Sequence, residues 1–340
     1  MKSDCLPIAR ARYTRFNGRE RIVTAPVVST VRSSIWGITA HCMTVFVLLG
    51  AAIVLYGSTV HYPFEFDDHL YIVKNPLFKN PANYQLPTHV LDVAAKVETE
   101  GLDPDLSTNF ILRPFTYLTF YWNYLHGGDD PAGYRVVNIA IHGANAVLLY
   151  ALLFNLFRDS RGMERAREGT AFFVSSAAAM AFVSHPFQIE SVTYVVQRFT
   201  SLVAFFYLGS LLLYLLSLKA TCRFKQGGFR CLSVASLALA MVSKESSITA
   251  PIVVMMMDRF ITGNRFAVIA RRASGHLLCL PIIPVLLIAA SWAQHHGSFN
   301  LHDTYYIAND VSQPVNALNY IFTQFGVMLS YLGLPSLPPK

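Results

Sequence analysis

Charged side chains are scarce in this sequence: Asp, Glu, Lys and Arg make up 14% of its 340 residues, whereas soluble domains carry about 25%. Hydrophobic residues make up 53%. The low charge argues against a water-soluble globule, and the high apolar content argues against an intrinsically disordered chain. The composition is that of a membrane protein with several spanning segments.

Cysteine is also infrequent, with five residues and no pair at CxxC spacing. This argues against a disulfide framework and against a cysteine-based zinc site. His295, His296, His302 and Asp303 could offer metal ligands, but their irregular spacing favours a solvated loop. We therefore predict no metal site and no certain cofactor; the acidic residues could hold a divalent cation, but the chemistry does not demand one.

Eight apolar runs are candidate membrane spans, since a bilayer core about 30 Å thick needs roughly 20 apolar residues per helix. They cover residues 35–55, 136–157, 171–183, 199–218, 231–242, 248–261, 277–292 and 317–334. The third, fifth and sixth runs are short, and they fit a bilayer only if it thins locally or if their polar ends lie inside the protein. A long arginine-rich stretch precedes the first run, which is therefore not an ordinary secretory signal.

Basic residues concentrate in alternate loops. Residues 1–33 hold seven Lys and Arg, and the loops at 158–169, 218–230 and 259–272 hold four each, which together is nineteen of the 27 basic residues. Residues 58–133 instead carry ten acids and four bases. This alternation predicts basic loops on the cytoplasmic side and an external first loop.

The same charge distribution divides the chain into two parts. We predict a cytoplasmic basic N-terminal segment at 1–34 and a transmembrane domain at 35–340, with 58–133 as its long outer loop. The net charge of +7 is then explained by topology and by contact with lipid headgroups. We accordingly predict membrane lipids as partners and no nucleic acid.

The outer loop begins with a pair of adjacent carboxylates, Asp67 and Asp68, set among aromatic residues directly after the first span. Burial and a neighbouring like charge raise the pKa of a carboxyl group, which makes it a better general base near neutral pH. Both residues are therefore predicted to be catalytic, and the two are equal candidates for the general base. The alternative is an aspartate helix cap followed by solvated loop.

An aromatic amphipathic stretch at 109–124 follows in the same loop, and Pro114 suits the first turn of a helix there. We predict an interfacial helix along the outer leaflet, with a re-entrant or spanning piece as the alternative. Arg113 could hold a lipid phosphate through its forked donors. Alternatively, it reaches headgroups without specificity.

Ionisable residues also border later spans. If Pro186 opens a helix, then His185, Glu190, Tyr194 and Arg198 lie roughly on one face of it. Such residues at a membrane boundary mark either a binding site or a structural pairing network.

A second polar boundary is Lys244-Glu245, between two short apolar runs. Lys244 could bind phosphate as a point charge, with Glu245 setting its position. The alternative is an ion pair within a tight hairpin.

Together these residues resemble the GT-C superfamily of polyprenyl-phosphate-sugar-dependent glycosyltransferases, especially the transmembrane and tetratricopeptide O-mannosyltransferase-like proteins and their bacterial relatives. The resemblance covers about residues 36–340 and rests on Asp67-Asp68, Arg113-Pro114, the 185–198 boundary, Ser243-Lys244-Glu245 and Asp258. Family members usually continue into more spans and a tetratricopeptide region, whereas this sequence stops at Lys340, so we expect either a truncated form or acceptor recognition that lies elsewhere.

The resemblance implies an all-α, polytopic membrane helical bundle of GT-C type and a lipid-linked sugar donor. It implies that Asp67 or Asp68 is the first-loop acid and that Arg113, Arg198 and Lys244 surround the donor phosphate. With the residues at the two boundaries, the predicted substrate-binding set is Arg113, His185, Glu190, Arg198, Lys244 and Glu245.

We accordingly predict a multi-pass enzyme of a bacterial inner membrane. It would move a sugar from a polyprenyl-phosphate donor to an extracytoplasmic protein or glycan acceptor, with inversion. The competing interpretation is a non-catalytic membrane scaffold, or a degenerate or truncated homologue of such an enzyme. A transporter would show inverted repeats and broken midplane helices, and the sequence shows neither.

Overall fold

The computed structural model describes residues 13–16, 19–22, 27–84, 93, 99–158, 168–294, 323 and 326–327. Apart from an antiparallel hairpin, β1 (Tyr13–Phe16) and β2 (Arg19–Ile22), the regular elements described are helical. The helices are α1 (Val27–Tyr56), α2 (Pro104–Leu112), α3 (Pro114–Gly127), α4 (Pro131–Arg158), α5 (Glu168–Ser184), α6 (Gln188–Thr193), α7 (Arg198–Lys219), α8 (Arg223–Met241), α9 (Ala250–Thr262), α10 (Phe266–Arg272), α11 (Ser274–Leu277) and α12 (Ile282–Gln294). The predicted all-α membrane bundle is confirmed.

Among the described residues, four segments are long and apolar enough to cross a bilayer: Gly37–Thr59, Pro131–Arg158, Val195–Lys219 and Ser274–Trp292. They correspond to the first, second, fourth and seventh predicted runs. The third run forms the shorter apolar helix α5, of 17 residues. The eighth run, at 317–334, lies almost wholly outside the described residues.

Prolines and aspartates start the helices of the long first loop. Pro104 and Pro114 occupy the first turns of α2 and α3, where a missing N–H costs nothing. Asp103 caps α2 by accepting the N–H of Asp105 at 2.9 Å. The loop therefore contains helices, as predicted; their placement along a membrane surface stays a prediction.

Successive long helices alternate in direction, so their ends meet in two groups. At one end, the Tyr56 hydroxyl donates to the Val183 carbonyl at 3.3 Å, and Phe115 N–H donates to the Val242 carbonyl at 3.3 Å. These contacts bring the end of α1, the end of α5, the start of α3 and the end of α8 together. We call this the site end.

Basic residues lie at the opposite end, which we call the basic end. There Lys219 donates to the Asn155 carbonyl at 2.6 Å, and Arg272 pairs with the buried Asp258 at 2.9 Å. The two ends thus separate the loops that the sequence assigned to opposite sides of a membrane. Which end faces the cytoplasm stays a prediction.

Cysteine labelling tests this sidedness. In a cysteine-free background, we expect Glu100→Cys and Gly227→Cys to react with a membrane-impermeant maleimide from opposite sides of sealed vesicles. Both positions are exposed, and a side chain at Gly227 meets no atom within 4 Å. Labelling of both from one side would contradict the topology.

Candidate functional site

The site end contains a fully buried arginine, Arg198, at the start of α7. Its guanidinium donates to the side-chain oxygens of Asn138 at 2.7 Å and Asn123 at 2.6 Å, and to the Tyr134 carbonyl at 2.7 Å. It also lies 4.6 Å from the centre of the Phe120 ring. Arg198 therefore joins α3, α4 and α7, and this burial does not fit the predicted role as a phosphate ligand.

The predicted single helical face at 185–198 is wrong. Helix α6 ends at Thr193, Tyr194 is extended with ψ 110°, and a new helical turn begins at Val195. Because the chain breaks there, helical spacing does not carry from Glu190 to Arg198.

His185 lies in the exposed turn between α5 and α6. Its Nδ1 accepts the N–H of Phe187 at 3.3 Å, and it lines neither of the cavities described below. His185 therefore stabilises the turn, and its position does not support the predicted contact with a substrate.

A second buried arginine, Arg135 in α4, was missed by the sequence analysis. Its guanidinium donates to the Thr193 carbonyl at 2.9 Å and to the carbonyls of Tyr62 and Pro63. Arg135 thus fastens the segment after α1 to the end of α6. The available signal was a lone arginine directly before the predicted span at 136–157, where a charge beside hydrocarbon is costly unless it is satisfied.

Asp68 is buried and belongs to the same framework. One carboxylate oxygen accepts the N–H of Val196 at 2.7 Å, and the other accepts those of Val195 at 3.3 Å and Glu65 at 3.4 Å. Burial raises the pKa of Asp68, although these amides and the charge of Arg135 oppose the rise. Its carboxylate faces the protein interior and lines neither cavity.

Asp67 points the other way and is exposed. Its backbone N–H donates to the hydroxyl of Tyr194 at 2.9 Å. The preceding Phe66 has a left-handed backbone with φ 45°, an unfavourable conformation for a bulky residue. This strained turn separates the two neighbouring carboxylates, so that Asp67 alone faces outward.

Asp67 lines a cavity of about 360 Å³, which we call the charged cavity. It lies between the segment after α1, the α2–α3 junction, the start of α7 and the segment after α8. Its polar lining is Asp67, Asp105, Asn109, Arg113, Gln197, Lys244 and Glu245, with Tyr71 and Thr108. The structure thus brings four predicted site residues together, Asp67, Arg113, Lys244 and Glu245. Asp105, Asn109 and Gln197 are additions that the sequence did not single out.

Arg113 occupies the junction of α2 and α3 and has three kinds of contact. Its Nη2 lies 3.1 Å from Glu245 Oε1, and its Nε lies 3.4 Å from Glu245 Oε2. Its Nη1 donates to Asn109 Oδ1 at 2.7 Å, and the guanidinium lies 4.7 Å from the centre of the Phe199 ring. Arg113 is therefore fixed at the cavity wall with a carboxylate in front of it.

Lys244 directs its ammonium group to Thr200 Oγ1 at 2.9 Å. Burial lowers the pKa of Lys244, the like charge of Arg113 lowers it further, and Glu245 and Glu190 oppose this. Burial would raise the pKa of Glu245, but the charge and hydrogen bonds of Arg113 outweigh it, and the pKa is lowered. The predicted hairpin ion pair between Lys244 and Glu245 is thus replaced by a pair between Glu245 and Arg113.

A second cavity, of about 380 Å³, lies beside the first and is mainly apolar; we call it the aromatic cavity. Its lining includes Tyr62, Glu65, Phe66, Ile189, Glu190 and Tyr194. Glu190 therefore lies next to the charged cavity and not in it. Tyr194 links the two spaces, since its ring lines one cavity while its hydroxyl binds the backbone of Asp67 in the other.

Among the described residues, no three His, Cys, Asp or Glu side chains are grouped so that they could hold a metal ion. His295, His296, His302 and Asp303 lie outside the described residues.

Sequence comparison gives these features a context. Mouse protein O-mannosyl-transferase TMTC4 is 37% identical over 147 residues, which cover 40% of this chain and 19% of that protein. The chain resembles the protein O-mannosyl-transferases. The nematode Caenorhabditis elegans protein O-mannosyl-transferase F38B6.6 is 26% identical over 211 residues, covering 61% of this chain and 27% of its own length. Human protein O-mannosyl-transferase TMTC1 is 28% identical over 228 residues, or 64% of this chain and 24% of that protein.

The similarity to these O-mannosyl-transferases is partial in both directions. The matched part spans about a fifth to a quarter of the length of each relative. No family model matches the chain, and no solved structure matches it.

Because Asp67 and Asp68 lie in different environments, we predict that replacing them by asparagine changes the stability of the protein differently. We expect Asp68→Asn to lower the free energy of unfolding by about 1–3 kcal/mol, because its amide N–H₂ would face backbone N–H groups that now meet a carboxylate oxygen. Asp67→Asn should leave stability nearly unchanged, since its side chain is exposed. Thermal unfolding in detergent measures both, and equal midpoints for the two variants would contradict the assignment.

Proposed function

We propose that this protein transfers a mannosyl group from a polyprenyl-phosphate donor to a hydroxyl group of a polypeptide, with inversion, at the extracytoplasmic face of a membrane. The similarity to protein O-mannosyl-transferases supports the reaction class. The apolar helices support a lipid-linked donor. Because the similarity covers a small part of each relative, activity, donor and acceptor all belong to the proposal.

One observation carries the proposal: an exposed carboxylate, Asp67, lines the same cavity as two cations, Arg113 and Lys244. Transfer from a sugar phosphate needs a base for the incoming hydroxyl and positive charge for the leaving phosphate. Both kinds of group are present here within a space of small-molecule size.

On this proposal Asp67 is the base. It takes the proton of the acceptor hydroxyl while the hydroxyl oxygen attacks the anomeric carbon and the bond from that carbon to the phosphate oxygen breaks. The electron pair stays with the phosphate, whose charge Arg113 and Lys244 neutralise. Attack and departure on opposite faces of the sugar in one displacement invert the anomeric centre. Asp68, Arg135 and Arg198 act only by positioning these groups.

The exposed face of α3 supports access from a lipid layer. Leu118, Trp122 and Leu125 are all exposed, and their spacing of four and three residues places them on one side of the helix. An apolar stripe that includes a tryptophan suits the boundary between hydrocarbon and water. A donor held in that layer by its polyprenyl chain would then present its phosphate near the α2–α3 junction.

The aromatic cavity suits the acceptor, because it approaches Asp67 from the other side. Phe66 precedes Asp67 in the chain, and Tyr194 binds the Asp67 backbone. A polypeptide segment in this cavity could bring a hydroxyl to Asp67 without passing Arg113 or Lys244. Glu190 then contacts the acceptor side and not the donor phosphate.

Replacing the proposed base separates catalysis from binding. We expect Asp67→Asn to lower mannosyl transfer by about 10²–10⁴-fold with little change in donor affinity, measured with a short-chain polyprenyl phosphomannose and a hydroxyl-containing peptide. Glu100→Gln is the matched control, since it removes an exposed carboxylate that lines neither cavity. If the Asp67→Asn variant transferred mannose at the wild-type rate, Asp67 would not be the base, and the interpretation as a non-catalytic membrane scaffold would be favoured.

The lowered pKa of Lys244 predicts pH-dependent donor binding. Protonated Lys244 attracts phosphate, so affinity should fall as the pH rises through its lowered pKa, at a lower pH than for an exposed lysine of pKa about 10.4. Dodecyl phosphate binding measured from about pH 8 to 10 avoids the titration of the phosphate itself, whose second pKa is about 6.

Lys244→Arg gives the matched comparison, because a guanidinium stays charged throughout this range. Its affinity for dodecyl phosphate should not show the alkaline fall. The same fall in both proteins would show that Lys244 is not the titrating group.

A further inference from the structure

Arg113 is paired with an anionic side chain of the protein itself, Glu245. Glu245 faces its guanidinium with both carboxylate oxygens, at 3.1 and 3.4 Å. The planar guanidinium of an arginine can bind either a carboxylate or a phosphate through two parallel N–H donors. Glu245 therefore lies on the edge of Arg113 that a donor phosphate would use.

Arg113 does not need Glu245 for its orientation. Asn109 accepts from Nη1 at 2.7 Å, and Phe199 supports the guanidinium face at 4.7 Å from its ring centre. Neither contact involves the edge that Glu245 occupies. The guanidinium would keep its direction if the carboxylate left.

Glu245 is placed so that it can leave. Its side chain is 45% exposed, against 19% for Arg113. It is the first residue of a short 3₁₀ segment, Glu245–Thr249, and follows an extended Lys244. Rotation of the side chain into solvent needs no movement of a buried group.

The balance of charge also favours a change before phosphate binds. Arg113 and Lys244 line the charged cavity together with Glu245, and Glu245 is paired with Arg113 at 3.1 Å. In this pair the positive charge of Arg113 is already neutralised, so the guanidinium attracts a second anion only weakly. Withdrawal of Glu245 removes one negative charge and at the same time frees the fork of Arg113.

We infer that Glu245 is an exchangeable internal anion: it pairs with Arg113 until a donor phosphate displaces it. This inference rests on the proposed function, because it takes the charged cavity as the donor site. Glu245 then determines donor affinity by competition and does not orient the phosphate. The two roles predict opposite effects of its removal.

Dodecyl phosphate binding to the purified full chain in detergent tests the exchange. We expect Glu245→Gln, which keeps the shape but loses the charge, to bind roughly three- to tenfold more tightly than wild type. Arg113→Gln should bind more weakly than wild type. In an Arg113→Gln background the gain from Glu245→Gln should shrink, because the competition for the guanidinium no longer exists.

A spin label gives a readout that does not depend on affinity. Attached at Ser246→Cys, an exposed position, in a cysteine-free background, it should become more mobile when dodecyl phosphate is added. With Arg113→Gln it should be mobile from the start. An unchanged label in wild type at saturating dodecyl phosphate would overturn the exchange.

The outcomes separate the two proposals. If wild type does not bind dodecyl phosphate, or if Arg113→Gln binds as wild type does, the donor site itself is wrong. If wild type binds, Arg113→Gln weakens binding and Glu245→Gln also weakens it or leaves it unchanged, only the exchange fails. Glu100→Gln is the charge control, and an equal gain there would mean a general effect of net charge and would also overturn the exchange.

Discussion

The carboxylate of Asp68 fixes the site end, because it receives the backbone amides of Val195 and Val196. These residues follow it by 127 and 128 positions in the chain. The bond therefore joins the segment after the first membrane helix to the start of α7. Since Asp68 must face inward to make it, and Phe66 takes a left-handed conformation just before, Asp67 is turned outward. The position of the proposed base thus follows from its neighbour.

Two buried arginines extend this framework, and both depend on oxygen atoms that carry no full charge. Arg198 makes its five hydrogen bonds to amide, hydroxyl and carbonyl oxygens, and Arg135 makes its bonds to three carbonyls. A buried cation is tolerated only when its donors are satisfied, so these partners must all be in place at once. Such a network orders the outer loop cooperatively and gives the cavity rigid walls.

The sequence predicted what depends on local pattern and missed what depends on distant contacts. Long apolar runs predicted the four candidate spans of the described residues because each run carries its own signal. Asp67 and Asp68 could not be told apart, since their directions are set by the backbone at Phe66 and by amides in the turn before α7. Arg198 was placed at the donor phosphate by the family resemblance, whereas the single face at 185–198 assumed a continuous helix from Pro186. The break at Tyr194 comes from the contacts of Asp68 and Arg135, which no periodicity reveals.

The pairing of Arg113 with Glu245 and of Lys244 with Thr200 gives the two cations different parts in the proposed reaction. A polyprenyl-phosphate sugar is a phosphodiester with one negative charge, whereas the phosphate left after transfer is a monoester with about 1.5 to 2. The cations therefore hold the product more strongly than the donor. Glu245 lies beside them in the same chain and competes at a high effective concentration. Its return to Arg113 opposes this retention, so the contact that weakens donor binding also speeds release of the product.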